Sequence, residues 1–190
     1  GTIIIAGQQT HGRGRLGRSF SSPAGMGIYL SVILRPDCRP EQLMHLTCAA
    51  GVAACQAVES TTSSCPRIKW TNDLVLGRQK LGGILTELSV NSASGRVDWV
   101  VVGIGINCCQ TAQDFPPEIQ DMACSLNMDW SQTPPLFAAL IEKMEEMRQK
   151  LLAQKAEIIA EFEKRCVTIH AQISILRGDE VRHGKAVGVD

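Results

Sequence analysis

No apolar run in this chain is long enough to cross a membrane as a helix. The longest, residues 27–34 and 99–106, fall far short of the roughly 20 residues that a bilayer demands, and residues 1–6 are too short for a signal peptide. Net charge is also missing. Nineteen basic residues cancel 19 acidic ones, which gives no support to a blanket affinity for nucleic acid or an anionic membrane, so any basic site has to be local. The eight cysteines contain no C-x-x-C pair, and in a chain of this size they read as reduced thiols of a cytoplasmic protein rather than a disulfide framework. The four histidines, His11, His45, His170 and His183, are dispersed. None has a Cys, His or acidic neighbour at zinc-ligand spacing, so no protein-ligated zinc is expected. Internal repeats and low-complexity tracts are absent too.

What is present is enough for one substantial core: 190 residues, 44% of them hydrophobic. Residues 2–6 predict a buried strand, a polar glycine-rich stretch follows over residues 7–27, and residues 28–34 return to a strand. A long loop between two strands is usually functional. Pro40 and Glu41 predict the first turn of a helix reaching Ser60, with Leu43, Leu46, Thr47, Ala50, Ala54, Ala57 and Val58 as one buried stripe. Short strands are expected at residues 67–70 and 74–76, then a turn at Gly77 and Arg78. A hairpin of residues 81–90 and 97–106 follows, turning at residues 91–95. Pro134 and Pro135 open a helix in which Phe137, Leu140, Ile141, Met144, Met147 and Leu151 keep the helical period, and a second helix passes through Ile158, Ile159 and Phe162. From Gln172 the pattern is β again: residues 173–176 and 180–183 about a turn at Gly178 and Asp179. Two strands cannot bury a face by themselves, so this reads as the start of a small β domain. The fold class is α+β, with a mixed or antiparallel sheet.

Three constellations carry chemistry. The first is Gly12-Arg13-Gly14-Arg15-Leu16-Gly17-Arg18 in the long loop. Its glycines let backbone approach a ligand, and its guanidinium groups offer forked donors to phosphate or carboxylate. Charge alone is also met by a solvated basic loop or an RNA-binding patch, although only Phe20 and Tyr29 stand near as stacking aromatics. The second is Lys69-Trp70-Thr71-Asn72-Asp73-Leu74, then Lys80-Leu81-Gly82-Gly83-Ile84. Each lysine lies beside a strand, and Asp73 reads either as a turn residue or as a Mg²⁺ ligand. The third is Gly103-Ile104-Gly105-Ile106-Asn107. Alternation puts both glycines on one strand face, open for something flat, with the Asn107 amide suited to an adenine edge. A glycine-smoothed strand is equally a place for close packing.

In order and spacing these segments, with Gln8-Gln9 before the arginines and Ser21-Ser22-Pro23-Ala24-Gly25 after them, resemble the catalytic domain of the biotin protein ligases. The resemblance is dense over residues 1–107 and looser beyond. It implies a catalytic domain over residues 1–168 with a largely antiparallel sheet, like that of the class II aminoacyl-tRNA synthetases. The start of an SH3-like β-barrel would follow over residues 169–190. It also implies a two-step reaction: biotin and ATP, with Mg²⁺, give biotinyl-AMP, and a lysine of a biotin carboxyl carrier domain then takes the biotinyl group. A lipoate ligase of the same fold, or a regulator that binds biotinyl-AMP without transferring it, are the alternatives. By family position, Gln9, Gly12, Arg13, Lys80, Gly82 and Gly83 would line the biotin pocket. Arg15, Arg18, Phe20, Asn72 and Asn107 would hold ATP or the adenylate. Lys80, Arg15, Arg13 and Lys69 would be the catalytic cations, and Asp73 would hold Mg²⁺ or orient the incoming lysine.

Three features depart from the family pattern. Phe20 stands where Trp is usual, Thr71 where Pro is usual, and the Ser-Thr-Asn segment ahead of the first strand is missing from these residues. A homodimer through an exposed sheet edge is open, and no nucleic-acid or membrane partner is expected through these residues. The resemblance makes one geometric demand: Arg13, Arg15, Lys69, Lys80 and Asn107 should meet in one anion-binding cleft on the sheet.

Overall fold

Side chains alternate along a strand, and here that alternation divides a sheet into a face that packs on helices and a face that carries a cleft. The computed structural model describes residues 1–178 and 180–189, apart from the side chains of Leu152 and Arg177. In chain order its elements are β1 (Thr2–Ala6), β2 (Gly27–Leu34), α1 (Leu46–Thr61), β3 (Arg67–Lys69), β4 (Asp73–Leu76), β5 (Gln79–Val90) and β6 (Val97–Asn107). Then come α2 (Thr133–Ala153), α3 (Lys155–Arg165), β7 (Gln172–Arg177) and β8 (Glu180–Lys185). The first six strands form one sheet in the order β1-β2-β6-β5-β4-β3, antiparallel at every ladder. The α+β class and the antiparallel sheet are as expected.

Ile28, Leu30 and Val32 of β2, Ile84 of β5, and Val100, Val102, Ile104 and Ile106 of β6 all point to one side and are buried there. Helix α1 lies against that side. Gly51 lets it approach closely, since a Cβ there would sit 3.2 Å from Ile68 Cδ1 of β3. A single stripe was expected on α1, but α2 and α3 pack on it from behind, so Cys48, Val52 and Cys55 are buried as well. The helix also starts later than Pro40. Pro40–Leu43 is a separate 3-10 turn, and α1 begins at Leu46. Its end is chemical: the hydroxyls of Ser60 and Thr61 donate to the Ala57 carbonyl and that of Thr62 to Val58, competing with the helix's own bonds. Helix α2 buries Leu136, Leu140, Met144, Met147 and Leu151 at spacings of three and four. Helix α3 buries Ile158 and Phe162, and Arg165 joins it to α1 through Glu59 at 3.0 Å.

One expectation fails at the margin. Strand β1 is not buried: it is a sheet edge, with Ile3, Ile4 and Ile5 between 41% and 52% exposed. Ile3 and Ile5 do point toward the helix side, but α1 and α2 do not reach over them, which leaves a 210 Å³ groove between β1 and α2. The β7–β8 pair forms a separate two-stranded sheet whose Ile175, Leu176 and Val181 are at least half exposed. Gly178 has the positive φ that its turn needs, while Asp179, the other expected turn residue, lies outside the described residues. Among the described residues no helix is long and apolar enough to cross a membrane.

The packed thiols make stability alkali-sensitive. Burial pushes Cys48 up to about 11 and Cys55 and Cys108 up to about 12. The unfolded chain loses these protons at ordinary thiol values, near 8.5. Their contribution is therefore complete below that value and is lost as pH rises toward 11–12, because the native state then binds more protons than the unfolded one. The urea midpoint should fall from pH 8 to pH 10.5, and Cys55→Ala should flatten that fall. An unchanged slope in the variant would show that Cys55 ionises as easily folded as unfolded.

Candidate active site

The face opposite the helices carries a cleft of 490 Å³. Its floor follows from alternation: Tyr29 and Ser31 of β2, Val101, Gly103 and Gly105 of β6, and Gly83, Leu85 and Glu87 of β5. Its roof is the arginine loop, which folds into a small hairpin. Gln9 N donates to Ser22 O at 3.1 Å, Phe20 N to Gly12 O at 2.9 Å and Gly14 N to Arg18 O at 2.6 Å. The tip turns through Leu16 and Gly17, with φ of 57° and 74°, as a tight hairpin turn between right-twisted strands requires. This chain spends a leucine where glycine or asparagine is easier, and the Leu16 side chain stays 90% exposed. Gly12 allows the hairpin to close, since a Cβ there would lie 2.3 Å from Phe20 O.

Three of the cations around the cleft meet an acceptor on the sheet side. Arg13 Nη2 reaches Glu87 Oε2 at 2.9 Å, Arg15 Nη1 donates to Asn72 Oδ1 at 3.0 Å, and Lys80 Nζ lies 2.7 Å from Asp73 Oδ1. Asn72 is itself fixed, its Nδ2 donating to Ile84 O at 3.0 Å. Arg18 and Lys69 also line the cleft, and among the described residues their side chains have no ion pair or hydrogen bond. Gln9 lines it too, with Oε1 accepting from Ser22 at 2.7 Å. Tyr29 is buried beneath the hairpin; burial raises its phenol well above the ordinary value, and the neutral hydroxyl donates to Pro23 O. Trp70 forms an outer wall, edge-on to Phe162 at 5.9 Å.

Lys80 reaches this face through an irregularity. Asp73 pairs with Gly83 and Leu74 with Gly82, but Val75 pairs with Lys80, so β5 has one residue too many opposite β4. Such a bulge switches the side on which the following residues point. Lys80 therefore joins the odd-numbered Gly83, Leu85 and Glu87 in the cleft, while Leu81 is fully buried in the core.

Arg13, Arg15, Lys69 and Lys80 thus line one cleft, and Asn107 does not. Asn107 is 5% exposed; its Nδ2 donates to Cys124 O at 3.0 Å and its Oδ1 accepts from Gln110 at 3.2 Å. Strand β6 ends there and the chain returns through Cys124, so the amide stitches that return to the strand. Gly82 is the second correction. Its missing Cβ makes room for strand β6, 2.3 Å from Gly105 O, and not for a ligand ring, whereas Gly83 does line the cleft. Gly12 also serves hairpin closure and is not among the lining residues. The open strip expected over Gly103 and Gly105 is half filled: a Cβ on Gly105 would meet Phe20 Cε1 at 2.6 Å, while Gly103 is clear. Glu87 also lines the cleft although it is not among the expected site residues; it lies three residues beyond Ile84 on the same strand. Counting by twos from Gly83 puts it on the cleft face.

A floor of mostly small and apolar residues, with Glu87 among them, under a roof of guanidinium groups makes a cationic cleft in an α+β fold. The profile of the biotin/lipoate A/B protein ligase family matches residues 1–107, and the chain belongs to that family. It is 43% identical over 127 residues to the bifunctional ligase/repressor BirA of Bacillus spizizenii, covering 67% of this chain and 38% of that protein. To BirA of Escherichia coli it is 30% identical over 196 residues, covering 100% of this chain and 59% of that protein. The chain therefore spans less than two thirds of these relatives. A solved structure of the biotin protein ligase from Aquifex aeolicus, in complex with biotin and ATP, superposes with a TM-score of 0.82 at 31% identity. The match covers 100% of this chain and 78% of that one.

Phe20 provides a test of the site's construction. Gly103→Ala meets nothing nearer than Leu85 O at 3.6 Å and should stabilise the chain by about 0.4–1 kcal/mol through the unfolded state. Gly105→Ala must push the Phe20 ring and should destabilise it by about 1–3 kcal/mol. Urea unfolding of both variants decides; equal stabilities would mean that Phe20 is not seated on β6.

Proposed function

We infer that this chain is the catalytic core of a biotin protein ligase, which activates biotin with MgATP and passes the biotinyl group to a lysine of a biotin carboxyl carrier domain. The observation that carries the reading is the convergence of the arginine hairpin with Lys80 and Asp73 on one sheet face, in a chain that superposes along its whole length on a ligase solved with biotin and ATP. Biotin is preferred to lipoate because the solved structure named above is a biotin protein ligase in complex with biotin and ATP. The eight unpaired thiols accord with a cytoplasmic setting.

The first step joins two anions. Unit charges at about 4 Å repel by about 4 kcal/mol at an effective dielectric near 20, so a carboxylate meets a triphosphate only among fixed cations. Lys80, held by Asp73 beside Gly83, is placed to draw biotin's carboxylate to the α-phosphorus. The carboxylate oxygen bonds to that phosphorus as the bond to the β-phosphate oxygen breaks, and pyrophosphate leaves. Arg18 and Lys69, with no partners to give up among the described residues, suit the departing phosphates. Gln9 keeps its amide hydrogens for the ureido carbonyl of biotin, and Phe20 and Trp70 wall the cleft. Asp73 is committed to Lys80, and among the described residues no group of three or more His, Cys, Asp or Glu is placed to hold a metal. We therefore assign Mg²⁺ to the nucleotide's phosphates rather than to a cage of protein ligands. In the second step the acceptor amine attacks the mixed anhydride's carbonyl, AMP leaves and the amine's proton passes to solvent. Residues 169–190 we read as the start of a second, β-rich unit.

Two measurements follow. Pyrophosphate exchange into ATP should depend on biotin and not on lipoate; exchange with neither acid refutes the ligase reading, and exchange with lipoate alone transfers it to the sister activity. Lys80→Ala should slow that exchange by about 10²–10³, the usual cost of one transition-state donor, and a loss under threefold would remove Lys80 from the chemistry.

Arg15 is placed for a different task. An acceptor ammonium with a reference pKa near 10.4 costs about 4.6 kcal/mol to deprotonate at pH 7, so the adenylate has to wait. A guanidinium at a hairpin tip, bonded among the described residues to the neutral Asn72 oxygen alone, suits holding it. Arg15→Gly should still form biotinyl-AMP but release it faster and biotinylate bystander lysines. Abolished synthesis with unchanged release would place Arg15 in the first step instead.

A further inference from the structure

The hairpin's internal bonds fix its shape but not its seat on the sheet. Among the contacts already described, three seat it: the Phe20 ring on Gly105, Arg15 on Asn72 and Arg13 on Glu87. The two arginine contacts differ in kind. Asn72 offers a neutral oxygen, which a phosphate outcompetes, whereas Glu87 offers a full carboxylate, and hydrogen bonds between two ionised groups are the strong ones. Glu87 also faces the cleft itself. Were Arg13 to leave for a phosphate, a bare carboxylate would confront the incoming triphosphate from the floor. Of the hairpin's three arginines, Arg18 moves at least cost, then Arg15, and Arg13 last.

We propose that the Arg13–Glu87 pair is the tether that seats the arginine hairpin over the cleft, with Glu87 a positioning residue and the Arg13 guanidinium serving the hairpin and not a substrate's phosphates. This rests on the ligase reading for its consequence in catalysis, but not for its test. The pair spans 74 residues of chain, so its closure restrains the hairpin against β5 as no local contact can. Its side chains are 70% and 40% exposed, and an exposed pair of this kind shifts a local opening equilibrium about 1.5- to 5-fold.

Amide hydrogen exchange at residues 12–15, measured without nucleotide, reads the tether directly. Glu87→Gln and Arg13→Gln should each speed exchange about 1.5- to 5-fold, and the double variant should be no faster than either. Arg13→Glu combined with Glu87→Arg should return exchange toward the parent rate, since the reversed pair still closes. Single variants without effect, or effects that multiply in the double, overturn the tether. Inorganic pyrophosphate, titrated by calorimetry, reads the role of the guanidinium. The reversed pair keeps net charge and link, so its affinity should stay within about threefold of the parent, an exposed pair's worth. A loss beyond tenfold would mean that a cation at position 13 contacts phosphate and would overturn the assignment. Neither readout needs turnover. A chain that makes no adenylate refutes the ligase reading and leaves the tether decided on its own measurements.

Discussion

Like charges brought to one place repel, and this site collects five. Arg13, Arg15, Arg18, Lys69 and Lys80 border a single cleft, where their mutual repulsion has to be answered or screened. The sheet answers for three of them with Glu87, Asn72 and Asp73. The acceptors are graded from a full carboxylate to a neutral amide, and two cations have none among the described residues. The cleft therefore holds its charge together while keeping part of it ready for an anionic ligand.

That arrangement depends on rigidity behind the sheet. Asp73 and Lys80 sit on neighbouring strands, and Glu87 lies further along β5. Their spacing is maintained because β5 and β6 are held by α1, which is itself enclosed by α2 and α3. Small residues bring α1 close, and the hydroxyl pair Thr47–Thr86, at 2.9 Å, ties it to the strand that bears Lys80 and Glu87. At the far edge, Arg67 donates from β3 to the carbonyls of Lys164 and Arg165 at the end of α3, both at 3.0 Å. A cation at a helix C-terminus is favoured by the exposed carbonyls as well as by its own bonds. The wall containing Lys69 and Trp70 is thus anchored to a helix and not left as a free edge.

Where local pattern decides a feature, the sequence was readable. The β5–β6 hairpin, the prolines that open α2 and the cationic loop all announce themselves within a few residues. Features decided by a distant partner did not. An apolar run such as residues 2–6 looks alike at the centre of a sheet and at its edge, and only the absence of a helix over it distinguishes the two. Asn107 looked free for a ligand because Cys124, which takes its amide, lies 17 residues on. The glycine pair 82–83 was read as two equal openings, whereas strand registry gives them opposite duties: one admits a neighbouring strand and the other faces the cleft. Glu87 needed only the two-residue period, applied from Gly83.

The extra residue in β5 acts as a change of phase. Before it, even-numbered positions look into the cleft, and after it odd-numbered ones do, so a single strand supplies Lys80 and Glu87 to one face and Leu81 and Ile84 to the other. The site is consequently encoded in a count as much as in residue identities. Loss of one residue between Lys80 and Gly83 would leave every charged side chain of the cleft in the sequence and still turn the lysine toward the apolar layer under α1. There an ammonium would stand unanswered and Asp73 would lose its partner. Within this segment, substitutions are the milder kind of change, and a frame-preserving deletion is the severe one.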